Sequence, residues 1–240
     1  MTPPLLRRRV CDLGLRLERS DFQVQIRALQ RELEAAGIAL RPRFYLSTEY
    51  GCIERTATIG VLFTDGSAAT RRAARRHGVI VRVGEAVLRT LRHEAGHAFC
   101  YVHRLYASPR FRRLFGVRGS FFGTYPESWR PGPRDRARAR RGEVVSLYGA
   151  RHPDEDFAVA FQLWLGDPAG CFRRRPRRPR TLEKLAYVAE VVARHGRSPG
   201  RPRRGPLDEP IGEVTATLGE WLAQVRRGTN YQLRAKGTVA

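Results

Sequence analysis

Lysine is almost missing from this chain. Lys184 and Lys236 are the only two among 45 basic residues, so the other 43 are arginines. Against 23 acidic residues this gives a net charge of +22. Such a balance has two readings. One is a polyanion partner such as nucleic acid, bound nonspecifically through phosphates. The other is GC-rich codon usage, which favours Arg, Ala, Gly and Pro over Lys whatever the protein does. The charge by itself therefore names no function.

Cysteine is scarce and scattered. Cys11, Cys52, Cys100 and Cys171 form no CxxC pair. That argues against a cysteine-type zinc site or a disulfide framework, and leaves reduced thiols in a cytoplasmic protein as the expectation. Long apolar runs are lacking too. No stretch approaches the roughly 18 residues that span a bilayer, so no membrane partner is expected. Residues 1–10 lack the apolar segment of a secretory signal. What the chain does have, at 42% hydrophobic residues, is enough apolar surface for a core.

Apolar periodicity lays out the elements as an α+β fold. Residues 10–18 (VCDLGLRLE) alternate and predict a strand. Ser20 or Asp21 caps a helix carrying Phe22, Ile26, Leu29 and Leu33, which stops at Gly37. Residues 43–47 and 57–63 predict strands, and 69–77 a short basic helix ended by Gly78. The second of these strands is either an edge that would pair with an extended peptide or an ordinary core strand. A long helix is expected over 84–106, followed by an irregular Arg-, Gly- and Pro-rich region over 107–141. Its aromatics, Phe111, Phe115, Phe121, Phe122, Tyr125 and Trp129, would either stack bases or anchor the loop. Further helices are expected over 153–165, 181–195 and 211–226, with an arginine-rich linker at 173–180.

The chemistry lies in residues 91–100, LRHEAGHAFC, which contain His93-Glu94-Ala95-Gly96-His97. In this HExxH pattern the two histidines sit one turn apart on one helix face, so both imidazoles can reach one metal ion. Glu94, beside the first ligand, can reach a water at that metal as general base. On the helical wheel both histidines lie opposite the apolar stripe, facing solvent or a cleft. Gly96 weakens the helix and makes sense if another segment crosses closely there.

Two histidines need a third protein ligand. Glu155, 58 residues after His97, projects away from Phe157 and Phe161 and can point back across a cleft. His152 and His103 are alternatives, and Cys100 is a candidate fourth ligand. Asp154, in the first turn of its helix, reads as a capping residue.

HEAGH followed by YxxxHPDEDFAxxFxxWL resembles a bacterial family of zinc-binding metallopeptidases and, more distantly, the catalytic domain of anthrax lethal factor. The resemblance runs from VCDLGLRLE through RPRFYLSTEYG to LEKLAYVAEVV and implies a metallopeptidase domain over residues 1–196. It leaves 197–240 as a linker and peripheral helix. It implies a zincin-like fold, in which a small mixed sheet packs on the HExxH helix and a mainly helical part follows. It implies one Zn2+ per chain held by His93, His97 and Glu155. It also implies Glu94 as base and Tyr148 as donor to the oxyanion or the leaving amine. The substrate would be a peptide or protein, acidic if the arginines line the cleft rim. One departure is Val159, where relatives carry a carboxylate one turn after the ligand Glu. Loss of such a supporting group typically costs about 10–100-fold in metal affinity or activity. A zinc-binding module without turnover is therefore the alternative to an active peptidase.

Overall fold

The computed structural model describes residues 4–126, 128–174 and 178–228. Its first helix, α1 (Phe22–Ala35), buries Phe22, Ile26, Leu29 and Leu33, the stripe expected from the sequence. Three strands follow: β1 (Arg43–Ser47), β2 (Gly51–Cys52) and β3 (Thr58–Leu62). The sheet order is β1-β3-β2. β1 runs parallel to β3, with Arg43 opposite Thr58 and Ser47 opposite Leu62, whereas β2 is antiparallel to β3. The small mixed sheet is thus present, but β3 is its central strand. Of the two readings of residues 57–63, the ordinary core strand holds and the free peptide edge does not, because both sides of β3 are already paired. Ile59 and Val61 are accordingly fully buried.

After the sheet, Ser67 accepts the backbone N–H of Thr70 and starts α2 (Ala68–Arg76). The central element is α3 (Glu85–Val102). It stops four residues short of the expected end. Arg104 takes a left-handed conformation (φ 53°), and the Val102 carbonyl accepts the N–H of Arg201. The region 107–141 is less irregular than expected. It holds α4 (Pro109–Phe115), capped by Ser108, and α5 (Pro133–Arg140), with Pro133 in its first turn. Phe111, Phe115 and Phe121 are buried, with the first two rings packed on Phe157 at 5.5 Å, so this part of the loop is anchored in the core.

α6 (Pro153–Gly166) crosses α3 closely. A Cβ on Gly96 would stand 3.0 Å from both the Ala158 Cα and the Phe161 Cβ, so only glycine lets the two backbones meet there. α7 (Gly170–Arg173), α8 (Pro179–His195) and α9 (Leu218–Gly228) complete the α-helices of the described residues. The expected helix over 211–226 begins only at Leu218. Thr217 and Glu220 form a reciprocal cap at that point, while Ile211–Glu213 makes one 3-10 turn. α9 places Leu218, Trp221 and Leu222 in the core, with the Trp221 ring 4.8 Å from Phe63.

Residues 10–18 are not a strand. They form two 3-10 turns, Val10–Asp12 and Leu17–Arg19, separated by Gly14 at φ 67°. Its start is held by an isolated bridge from Arg9 to Thr217 and by the Val10 and Cys11 N–H groups donating to the Ala216 and Val214 carbonyls, too little to make a ladder. Part of the 173–180 linker, residues 175–177, lies outside the described residues. No described helix is long and apolar enough to cross a membrane.

Candidate metal centre

α3 puts His93 and His97 one turn apart, with their Nε2 atoms 3.1 Å from each other. The close crossing at Gly96 brings α6 alongside. Glu155 Oε2 then stands 2.9 Å from His93 Nε2 and 3.5 Å from His97 Nε2. All three residues are buried, so the histidines lie under α6 and β2 and not toward open solvent. Among the described residues these three form the group of donor atoms close enough to hold one metal ion.

The donor set fits such an ion. Atoms about 2.0–2.1 Å from a tetrahedral zinc stand roughly 3.3 Å from one another, close to the three separations seen here. His97 Nδ1 lies 3.0 Å from Asp154 Oδ1, a charge contact in which the ring N–H is not aligned on the oxygen. A carboxylate on that side keeps the proton on Nδ1 and turns the Nε2 lone pair toward His93 and Glu155. Lone pairs converging on one point are stable only with a cation among them, either a proton or a metal ion. Burial opposes ionisation of Glu155, yet the two imidazoles hold its carboxyl well below the usual range. Burial likewise lowers His97, but Asp154 and Glu155 more than offset it and raise the imidazole well above its ordinary value.

The surrounding side chains orient this group. Asp154 is fully buried and accepts hydrogen bonds from the hydroxyls of Tyr101 and Tyr125, the latter at 2.9 Å. It is not the helix cap expected from the sequence. His152 has that role, its Nδ1 accepting the Asp154 N–H at 3.1 Å. Asp156 points the other way, accepting the Val145 N–H at 2.7 Å and the Lys184 ammonium at 2.5 Å. Gly149 lies so near that a Cβ there would stand 2.6 Å from Asp156 Oδ1. This contact seats the preceding residue, Tyr148, whose hydroxyl donates to Glu155 Oε1 at 2.8 Å. Arg151 Nη1 donates to the Tyr148 oxygen at 3.2 Å. Burial and the Glu155 charge push the Tyr148 phenol well above its ordinary value, so it stays protonated at neutral pH.

Glu94 faces β2, where one carboxylate oxygen accepts the Cys52 N–H at 2.9 Å. His93, Glu94, His97, Tyr148, Arg151 and Glu155 all line one cavity of about 210 Å³. Searches for a matching protein family, a curated relative or a similar solved structure return none. The site therefore stands on its geometry.

All five residues singled out from the sequence meet at this cavity. The alternative ligands do not join them. His103 stacks on His195 at 5.4 Å, His152 stacks on Tyr125 at 4.0 Å, and Cys100 is packed in the core. Three neighbours escaped the sequence reading. Tyr101 follows His97 by one turn and Arg151 precedes Glu155 by one turn, so both carried a spacing signal. Tyr125 comes from the 107–141 region and carried none. The rest of the cavity wall carries Glu49, Glu54 and Asp208, and among the described residues Arg151 is the one lysine or arginine in the lining.

Proposed function

We propose that the chain is a zinc-dependent metallopeptidase of the gluzincin type. The observation that carries this reading is the convergence of His93, His97 and Glu155 beside a fourth side chain, Glu94, on the wall of the same cavity. When bound, Zn2+ supplies a Lewis acid for the peptide carbonyl and a water acidified to near-neutral pKa. Glu94 takes the proton of the attacking water and passes it to the leaving nitrogen. The Cys52 N–H fixes one of its oxygens and leaves the other for this task. The protonated Tyr148 phenol, backed by Arg151, donates to the oxyanion. Asp154 supplies a carboxylate behind His97, which answers the loss at Val159 and favours an active enzyme over a silent metal-binding module.

The acidic wall points to peptides with basic or neutral side chains near the scissile bond. It argues against the acidic substrate that the net charge alone suggests.

Two measurements test the reading. Metal analysis of purified protein is expected to find one zinc per chain, lost in His97→Ala. Glu94→Gln is expected to keep the zinc and to abolish cleavage in a peptide library. Equal cleavage by that variant and its parent would remove Glu94 from the mechanism, and zinc that survives His97→Ala would remove the centre itself.

A further inference from the structure

The arginines that the metal centre leaves unused converge elsewhere. A second cavity, of about 370 Å³, is lined by Arg110 and Arg113 of α4, by Arg180 and Lys184 of the first turns of α8, and by Glu143 and Glu183. Four cations thus face two carboxylates. Glu143 is already engaged by Arg141 at 2.7 Å. Arg110 pairs with Glu190. Arg180 acts on Glu143 through space without a direct ion pair, and Arg113 forms no ion pair with a carboxylate among the described residues.

Lys184 makes this more than an exposed patch of arginines. Its side chain is buried, and Nζ donates at 2.5 Å to Asp156 Oδ2 and at 2.5 Å to the Glu143 carbonyl. Two of its three ammonium hydrogens are taken and Asp156 balances its charge, so Lys184 brings the cavity wall one further donor and no net charge of its own.

The backbone adds donors. No side chain caps α8, whose first turn contains Pro179. The helical ladder starts with Leu182 donating to the Arg178 carbonyl at 2.9 Å. The N–H groups of Arg180 and Thr181 precede it and have no intrahelical acceptor, and the positive end of the helix dipole lies with them. Among the described residues Leu114 is the one apolar side chain in the lining, so the cavity suits charge and not an apolar body.

We propose that this cavity binds a small multivalent oxyanion of the phosphate class, held by Arg113, Arg180, Lys184 and the open end of α8. Guanidinium forks match the oxygen spacing of phosphate, and several convergent donors favour a di- or triphosphate-like anion over a single carboxylate. The site is separate from the metal centre and does not depend on the peptidase reading.

The test is calorimetric titration of the full chain with inorganic pyrophosphate at low ionic strength. Three proteins are compared: the parent, an Arg113→Ala/Arg180→Ala double variant, and an Arg72→Ala/Arg75→Ala control on the exposed face of α2. Both pairs are exposed, so neither is expected to disturb folding. The parent should bind one pyrophosphate per chain. The cavity variant should bind at least about tenfold more weakly, and the α2 control within about twofold of the parent. Absence of binding in the parent overturns the proposal. So does undiminished binding in the cavity variant, which would put the anion elsewhere, the metal centre included. Equal weakening in both variants would assign binding to the general field of the net charge and also overturn it. A thymidine oligonucleotide provides the last arm. If it binds more tightly than pyrophosphate, with the same loss in the cavity variant, the ligand is a nucleic-acid backbone and not a small anion.

Discussion

The Lys184 ammonium and the Asp156 carboxylate meet at 2.5 Å with side chains only 4% and 2% exposed. Removing one partner leaves the other charged and without water. Lys184→Met is therefore expected to destabilise the fold by about 3–5 kcal/mol, read from chemical denaturation. The Lys184→Met/Asp156→Leu double variant should recover most of that loss. If the single variant unfolds at the parent's midpoint, the pair is not the buried contact described here.

The α3–α6 crossing makes a second, independent prediction. Gly96→Val would drive two methyl groups into the space occupied by Ala158 and Phe161. The overpacking should cost about 1–3 kcal/mol. Because the same crossing brings Glu155 to the histidines, bound zinc should fall as well. A variant with reduced stability and full zinc content would separate the two effects and contradict the geometry.

Tyr148→Phe removes one oxygen and leaves the three metal donors in place. Zinc content is expected to stay at the parent level, while turnover falls by about 10²–10³-fold if the phenol donates to the oxyanion. Unchanged kcat would restrict Tyr148 to orienting Glu155.

The acidic wall gives a prediction about specificity. Glu54→Lys should lower kcat/KM for peptides with Arg or Lys near the scissile bond and raise it for acidic ones. Glu54 lines the cavity but is not one of the three metal donors, so zinc binding should not change. An unaltered preference would take Glu54 out of substrate recognition.

A pH effect is expected at a carboxyl behind the cavity wall, bonded to the lining residue Tyr50. Burial raises the carboxyl of Asp65 from 3.8 to about 6, against the opposing effect of a hydrogen bond from Tyr50 and of nearby arginines. The folded state therefore keeps a proton that the unfolded state has released between these two values. Its stabilising contribution is full below about pH 4 and is lost as pH rises through about 6. The Tm of Asp65→Asn, measured relative to the parent, should accordingly rise between pH 4 and pH 7. A flat difference would show that Asp65 ionises alike in both states.

Much of this molecule was legible in the sequence wherever apolar spacing and a cap agreed. Phe22, Ile26, Leu29 and Leu33 marked α1, and Pro153 with Phe157 and Phe161 marked α6. Of the five candidate site residues, His93, Glu94 and His97 were legible because metal binding demands fixed spacing on a helix, Glu155 through its place on the second helix, and Tyr148 only through the family resemblance, while Gly96 announced the close crossing. The failures have physical causes. The alternation of residues 10–18 had no neighbouring strand to pair with, and pairing across space is not written in a local pattern. The central position of β3 was hidden for the same reason. The Ser108-Pro109 start of α4 and the Thr217–Glu220 cap of α9 were readable signals overshadowed by arginine-rich surroundings. Asp154 was misread because a carboxylate in a first helical turn normally caps, and only the fold shows His152 already in that place.

The contact between Gly149 and Asp156 has a mechanical consequence. It rivets the Tyr148 turn to the helix that carries Glu155, so phenol and carboxylate belong to one rigid body. Glu94 rides on α3, which is locked to that same helix at Gly96, and it is tied to the sheet as well through Cys52. Base, phenol and metal donors therefore share one frame. A peptide entering the cleft meets a site whose parts are already at their working distances, with little left to order on binding.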